Sequence, residues 1–418
     1  MTKPADSGRS SRPSLTIDWY PQELPLGVEV RGVALRTADG AAVSGTLYVL
    51  GKPRSAACLM HPREYFGFHY LVPSLLEAGV AVWTQGARSI GNDLRLEHEQ
   101  AVLDAASGIE YLRMCDFRQI VLIGNSGGSG LYSYYIQQAV LPPGERSSKA
   151  PTGKSTGFNT ASMPAVDGMI YLAPHPGQGR LLLGCIDPSV ADEHDALSVI
   201  PELDPFDREN GYRPEPGASR YSAEFVERYR RAQRDRVARL DDIARSLIAV
   251  RQAARKRFKE GDAGHSERLR AVHTPVMTVW RTDADLRCFD LSLDPSDRAP
   301  GSVWSPDMLG SNYGAVGFGR LCSPESWLST WSGISSAAAL EKTAPYVKVP
   351  ALVVEYTGDQ TYFPSGIRGI FAWIGSDRKE HIRIRGDHHG RPLAPDQEPG
   401  RAIAGRVISD WLRRQSFA

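Results

Sequence analysis

An α/β fold is what this sequence predicts: a mostly parallel central sheet with helices on both faces and a large, mainly helical cap inserted late in the sheet. Three observations carry that prediction. Strand-like and helix-like stretches alternate from about residue 56 to 173 and again from 351 onward. The strands within these parts are short, continuous apolar runs, as burial on both faces requires. Between Ala173 and Ala351 the alternation stops, and a helical, aromatic-rich segment replaces it.

Val28 to Leu35 carries branched residues at alternate positions, Ala38-Asp39-Gly40 supplies a turn, and Val43 to Leu50 alternates again, so the stretch reads as an antiparallel hairpin. Ala56 to Met60 is an apolar strand. Helix Leu71 to Ala78, strand Val80 to Thr84, amphipathic helix Leu94 to Arg113, strand Ile120 to Ile123 and helix Gly128 to Val140 follow. Leu141 to Pro164, rich in Pro, Gly, Ser, Thr and Lys, lacks periodicity and is expected to be a mobile loop before strand Met169 to Ala173. Strand Ala351 to Tyr356 with helix Ile367 to Ile374, then strand Ile382 to Arg385 with helix Ala402 to Arg414, close the chain.

The inserted segment is dominated by a helix from Ser222 to about Phe258. Phe225, Tyr229, Leu240, Ile243 and Leu247 form its apolar stripe, and its many arginines are expected on a solvated face. Val276 to Trp280 reads as a strand, and Trp304, Tyr313, Phe318, Trp327 and Trp331 make the remainder aromatic. The expected organisation is an N-terminal extension over 1–25, a core over 26–175 and 346–418, and a cap over 176–345.

The 418 residues suffice for such a core plus insertion, and 41% hydrophobic with 23% charged residues is an ordinary globular balance. With 49 Lys and Arg against 48 Asp and Glu, the net charge of +1 gives no reason to expect nucleic acid or an anionic membrane as partner. Five scattered cysteines without a Cys-X-X-Cys pair fit neither a disulfide framework nor a zinc site, so reduced thiols are expected, with no metal and no cofactor. Met1 to Ile17 is polar, and no stretch has the length of a membrane span. A cytoplasmic location is therefore the expectation.

The chemistry concentrates in Gly124-Asn125-Ser126-Gly127-Gly128. Gly-X-Ser-X-Gly alone is a pattern chance can supply, but here an apolar strand runs straight into Gly124 and a helical stretch begins at Gly128. Strand, sharp turn and helix are what a nucleophile elbow requires, with small neighbours allowing close approach of chain segments. A serine hydroxyl needs a base, and the base an orienting acid. Asp359, in Tyr356-Thr357-Gly358-Asp359, follows a late strand, and His388 and His389, in Gly386-Asp387-His388-His389, follow the last one. Glu355, within the strand, and Asp187, after an earlier one, are lower-ranked acids.

On strand-Gly-Asn-Ser-Gly-Gly-helix, Gly358-Asp359 and Gly-X-X-His at Gly386 to His389, the sequence resembles the α/β-hydrolase superfamily, specifically its capped esterase-like members, over roughly residues 28 to 415. The resemblance implies Ser126 as nucleophile, His389 as general base and acid, and Asp359 as its orienting carboxylate. Spacing from Gly386 favours His389, whereas the Asp-His pairing of some members favours His388. One oxyanion donor is expected to be the Gly127 N–H. The second is expected from His61-Pro62-Arg63-Glu64-Tyr65, which is similar to the His-Gly segment of many esterases but places Pro62, without an N–H, in the turn. The Arg63 backbone N–H is the candidate, with the Tyr65 hydroxyl as an assistant. His61 and His175 are expected to support loops rather than act as bases.

The expected activity is hydrolysis of a carboxylic ester of a small, hydrophobic or aromatic substrate. A lactone, an amide or a carbon-carbon bond beside a ketone remains open, as does a non-catalytic binding protein of the same fold. A small-molecule substrate is the expected partner, with a homodimer left open.

Overall fold

The computed structural model describes residues 22–214, 217–261, 264–302, 304–305, 307–315 and 317–418. Most of the N-terminal extension expected over 1–25 lies outside the described residues.

β1 (Glu29–Arg36) and β2 (Ala42–Val49) form the expected antiparallel hairpin, turning through Gly40 at φ 85°. Next come β3 (Ser55–His61), α1 (Val72–Glu77), β4 (Ala81–Gly86), α2 (His98–Met114), β5 (Gln119–Asn125), α3 (Gly128–Val140) and β6 (Gly168–Leu172). The insertion holds α4 (Gln178–Cys185), α5 (Ala223–Lys259), α6 (His265–Val272), β7 (Met277–Thr278), α7 (Met308–Tyr313), β8 (Leu321–Cys322), α8 (Pro324–Ser326) and α9 (Leu340–Thr343). β9 (Ala351–Tyr356), α10 (Pro364–Trp373), β10 (Lys379–Ile384) and α11 (Gly400–Arg414) complete the chain.

Eight strands share one sheet in the order β1-β2-β4-β3-β5-β6-β9-β10. β2 runs antiparallel to both its neighbours, and every other pairing from β4 to β10 is parallel. Successive residues of the central strands enter opposite layers, following the two-residue strand period. Cys58, Met60, Ile120 and Leu122 pack with Ile109, Leu131 and Ile136 of α2 and α3. Their neighbours Ala57, Leu59, Val121 and Ile123 pack with Leu75 of α1 and Ile408 and Trp411 of α11. A continuous apolar run is thus needed to fill both layers.

Three expectations are corrected. The segment from Leu141 to Pro164 is tied down rather than loose: Phe158 is fully buried, and Ala161 and Met163 join the same core layer. The strand expected over Val276 to Trp280 shrinks to two residues, pairing only Met277 with Cys322 and Thr278 with Leu321. The buried stripe of α5 includes polar residues, Gln233, Arg236, Asp241 and Arg251, while Ile243 and Leu247 lie half-buried at its edge. Arg236 is tolerated at 1% exposure because Glu193 accepts from it at 2.9 and 2.8 Å and the carbonyls of Asp187 and Trp280 take its other donors. Arg251 pairs with buried Glu325.

Candidate active site

β5 lies in the middle of the sheet, and its C-terminal end is the kind of position where open α/β sheets place ligands. There the chain turns sharply. Ser126 adopts φ 53°, a left-handed conformation that L residues rarely hold, and its N–H donates to the Leu172 carbonyl at the end of β6, 2.9 Å away. The Asn125 Nδ2 donates to the same carbonyl at 3.0 Å. The turn requires its glycines: a Cβ on Gly124 would lie 2.6 Å from the Ser129 backbone, and one on Gly128 2.4 Å from the Met60 carbonyl oxygen. Gly127 is the N-cap of α3, so its N–H has no intrahelical acceptor.

Ser126 faces His388. The serine Oγ lies 3.0 Å from His388 Nε2, and His388 Nδ1 lies 2.7 Å from Asp359 Oδ2. The second Asp359 oxygen accepts the Thr361 and Tyr362 N–H groups at 2.6 and 3.3 Å, which aims the carboxylate at the imidazole. With Nδ1–H donated to that carboxylate, the neutral ring presents Nε2 as an acceptor for the serine O–H. Burial depresses the His388 pKa, but the charge and hydrogen bond of Asp359, with Asp387 nearby, more than offset it and hold it above 6.5.

The order of preference between the two histidines is therefore reversed. His389 stands beside the chain rather than in it, its ring edge-on to His388 at 5.0 Å and its N–H donated to Asp387 Oδ1 at 2.9 Å. That bond, with Arg391 on the same carboxylate, closes a tight turn that swings the earlier histidine toward Ser126. Neither lower-ranked acid is placed to replace Asp359. Glu355 accepts from His381 at 2.8 Å and Arg383 at 3.1 Å, and Asp187 is paired with Arg281 inside the insertion.

The oxyanion expectation is corrected at Arg63. Its backbone N–H donates to His61 Nδ1 at 3.1 Å, as the Glu64 N–H does at 2.9 Å. Pro62 bends the chain so that the ring folds back under these groups, a side-chain-to-backbone closure like that of turn-forming Asn and Asp. The Arg63 guanidinium turns elsewhere, onto Asp93 at 2.7 and 2.8 Å and among the rings of Trp304, Phe318 and Trp331. Tyr65 is 49% exposed, edge-on to Phe68, and its hydroxyl makes no hydrogen bond among the described residues.

His175 is buried with Nδ1 accepting from the Gly177 N–H at 3.3 Å, and burial first, then the charge of His388, lowers its pKa to about 3. This is a loop-supporting arrangement. Two polar residues at the site went unread in the sequence. His69 Nε2 meets Asn125 Oδ1 at 3.3 Å, bracing the residue before the serine, and the Gln178 amide borders Gly127. An apolar run leading into a polar Asn was the only local hint of the first.

Among the described residues no group of three or more His, Cys, Asp or Glu side chains is arranged to hold a metal ion, and no helix is long and apolar enough to cross a membrane. No family model matches the chain, and no curated protein matches it. Among solved structures it is similar to DcsB in complex with its substrate analogue, at 13% identity over 93% of this chain and 99% of that one, with a TM-score of 0.50. Two others are the esterase domain of a Rhodothermus marinus protein, at 11% identity over 92% and 98% with a TM-score of 0.44, and a hypothetical protein from Pseudomonas aeruginosa, at 14% over 96% and 99% with a TM-score of 0.45. At such identities the likeness speaks to the fold alone.

Proposed function

We propose that this chain, whose fold is that of the α/β hydrolases, is a serine hydrolase that cleaves a carboxylic ester through an acyl-enzyme. The observation that carries the reading is the unbroken chain Ser126–His388–Asp359, with links of 3.0 and 2.7 Å, at a strained strand-to-helix turn. His388 Nε2 takes the proton as Ser126 Oγ bonds to the ester carbon. The imidazolium, stabilised by Asp359, then protonates the departing alcohol. A water molecule, deprotonated by the same ring, releases the acid and returns the hydrogen to Ser126.

Residues 176–345 act in this reading as a cap over a core of 26–175 and 346–418. A small substrate with a hydrophobic or aromatic portion belongs to this reading, since ligand pockets are mostly apolar with a few polar groups. A fluorophosphonate probe tests the reading. Wild-type protein is expected to be labelled and Ser126→Ala not; equal labelling of the two, or none of the wild type, would falsify it.

A further inference from the structure

A carbonyl oxygen that becomes negative as Ser126 attacks needs convergent donors, and the first three residues of the loop following β3 do not offer them from their backbone. Pro62 has no N–H, and those of Arg63 and Glu64 are both directed at His61 Nδ1. The same two bonds determine the state of the ring. A nitrogen that accepts N–H bonds carries no proton of its own, so in neutral His61 the proton sits on Nε2. Burial first, then the charges of Arg63, His175 and His388, push the His61 pKa well below its ordinary value, which keeps the ring neutral at pH 7. That Nε2 stands at the elbow: a Cβ on Gly127 would lie only 2.6 Å from it. Glycine after the nucleophile therefore admits the imidazole to this corner, beside the Gln178 amide nitrogen 2.7 Å from the same Cβ position.

We propose that the His61 Nε2–H is the second oxyanion donor, so that the negative oxygen is held between the Gly127 backbone N–H and an imidazole side chain. The role rests on the serine-hydrolase reading and adds a catalytic residue to it. It requires no proton transfer from His61: the ring donates a hydrogen bond that shortens as charge develops on the oxygen and relaxes when the carbonyl reforms.

Two substitutions divide the functions of the ring. In His61→Gln the side-chain amide nitrogen reaches the place of Nε2 and preserves a donor. In His61→Asn the shorter carbonyl reaches the place of Nδ1, preserving the acceptor for the loop while removing the donor. With p-nitrophenyl butyrate as the probe, H61N is expected to lose about 10²–10³-fold in kcat with KM changed by less than about threefold, and H61Q to stay within about tenfold of wild type. The opposite ranking, or equal losses, overturns the proposal in favour of a ring that only holds the loop.

Wild-type protein supplies a second measurement if a variant does not fold. In nitrogen-15 spectra of histidine-labelled protein, His61 is expected as the Nε2–H tautomer, with its proton moving when phenylboronic acid adds to Ser126. The other tautomer, or an unmoved proton, overturns the role. Failure of the underlying reading is visible separately, because the wild type would then not label with fluorophosphonate, whereas failure of the His61 role alone leaves labelling intact.

Discussion

His388 sits between the Ser126 hydroxyl and a carboxylate that favours keeping a proton on the ring, and its titration follows from that position. Its folded-state pKa lies above 6.5, so folding favours the protonated form. Its contribution to stability is therefore present below about 6.5 and fades as pH rises through the folded value. A base must be neutral, so kcat/KM is expected to rise over that same interval, with an acid limb above pH 6.5. A limb well below 6.5, or none, would count against His388. His388→Asn is expected to lower kcat by about 10³-fold or more, and His389→Asn by less than about tenfold, in steady-state assays. Both histidines were visible as candidates in the sequence. The spacing from Gly386 favours His389, whereas the structure brings His388 to Ser126, because the outcome depends on how Asp387 caps the turn, and that depends on Arg391 and on the direction from which β10 arrives.

Among the elements, the passage from β5 through the elbow into α3 is the most constrained. Gly128 opens the helix directly against the Met60 carbonyl of the neighbouring strand, and neither backbone has room to retreat. Gly128→Ala is expected to destabilise the protein by about 1–3 kcal/mol despite the gain of up to about 1 kcal/mol that alanine brings to a helix. Urea denaturation measures this, and a variant as stable as wild type would show that the turn is looser than described. Apolar period and glycine spacing exposed this element in the sequence because each of its requirements is local. The segment from Leu141 to Pro164 was misread for the complementary reason. It has no regular hydrogen-bonding period, and Phe158 earns its place by a contact with Tyr134 of α3 at a ring separation of 5.8 Å.

At the scale of the whole molecule, Arg63 connects the loop beside Ser126 and Gly127 to the inserted segment. It is paired in two bonds with Asp93 and surrounded by Trp304, Phe318 and Trp331. Removing only the carboxylate leaves a guanidinium buried without its partner, so Asp93→Ala is expected to cost about 3 kcal/mol in chemical denaturation. Replacing both members, Arg63→Met with Asp93→Leu, is expected to recover most of that loss. A single variant with unchanged stability would mean that the aromatic rings alone hold the guanidinium.

The alternation of strands and helices, the late insertion, the sharp turn at Ser126 and the candidacy of Asp359 are legible in the sequence, because each is written in short-range periods and neighbouring residue sizes. Tertiary structure alone decided which histidine meets the serine, that the Arg63 N–H is turned inward, and that arginines such as Arg236 are buried. Those outcomes depend on which donor finds which acceptor across distant parts of the chain, and hydrogen-bond pairing at 3 Å is decided by the packing of whole elements, which no local pattern records.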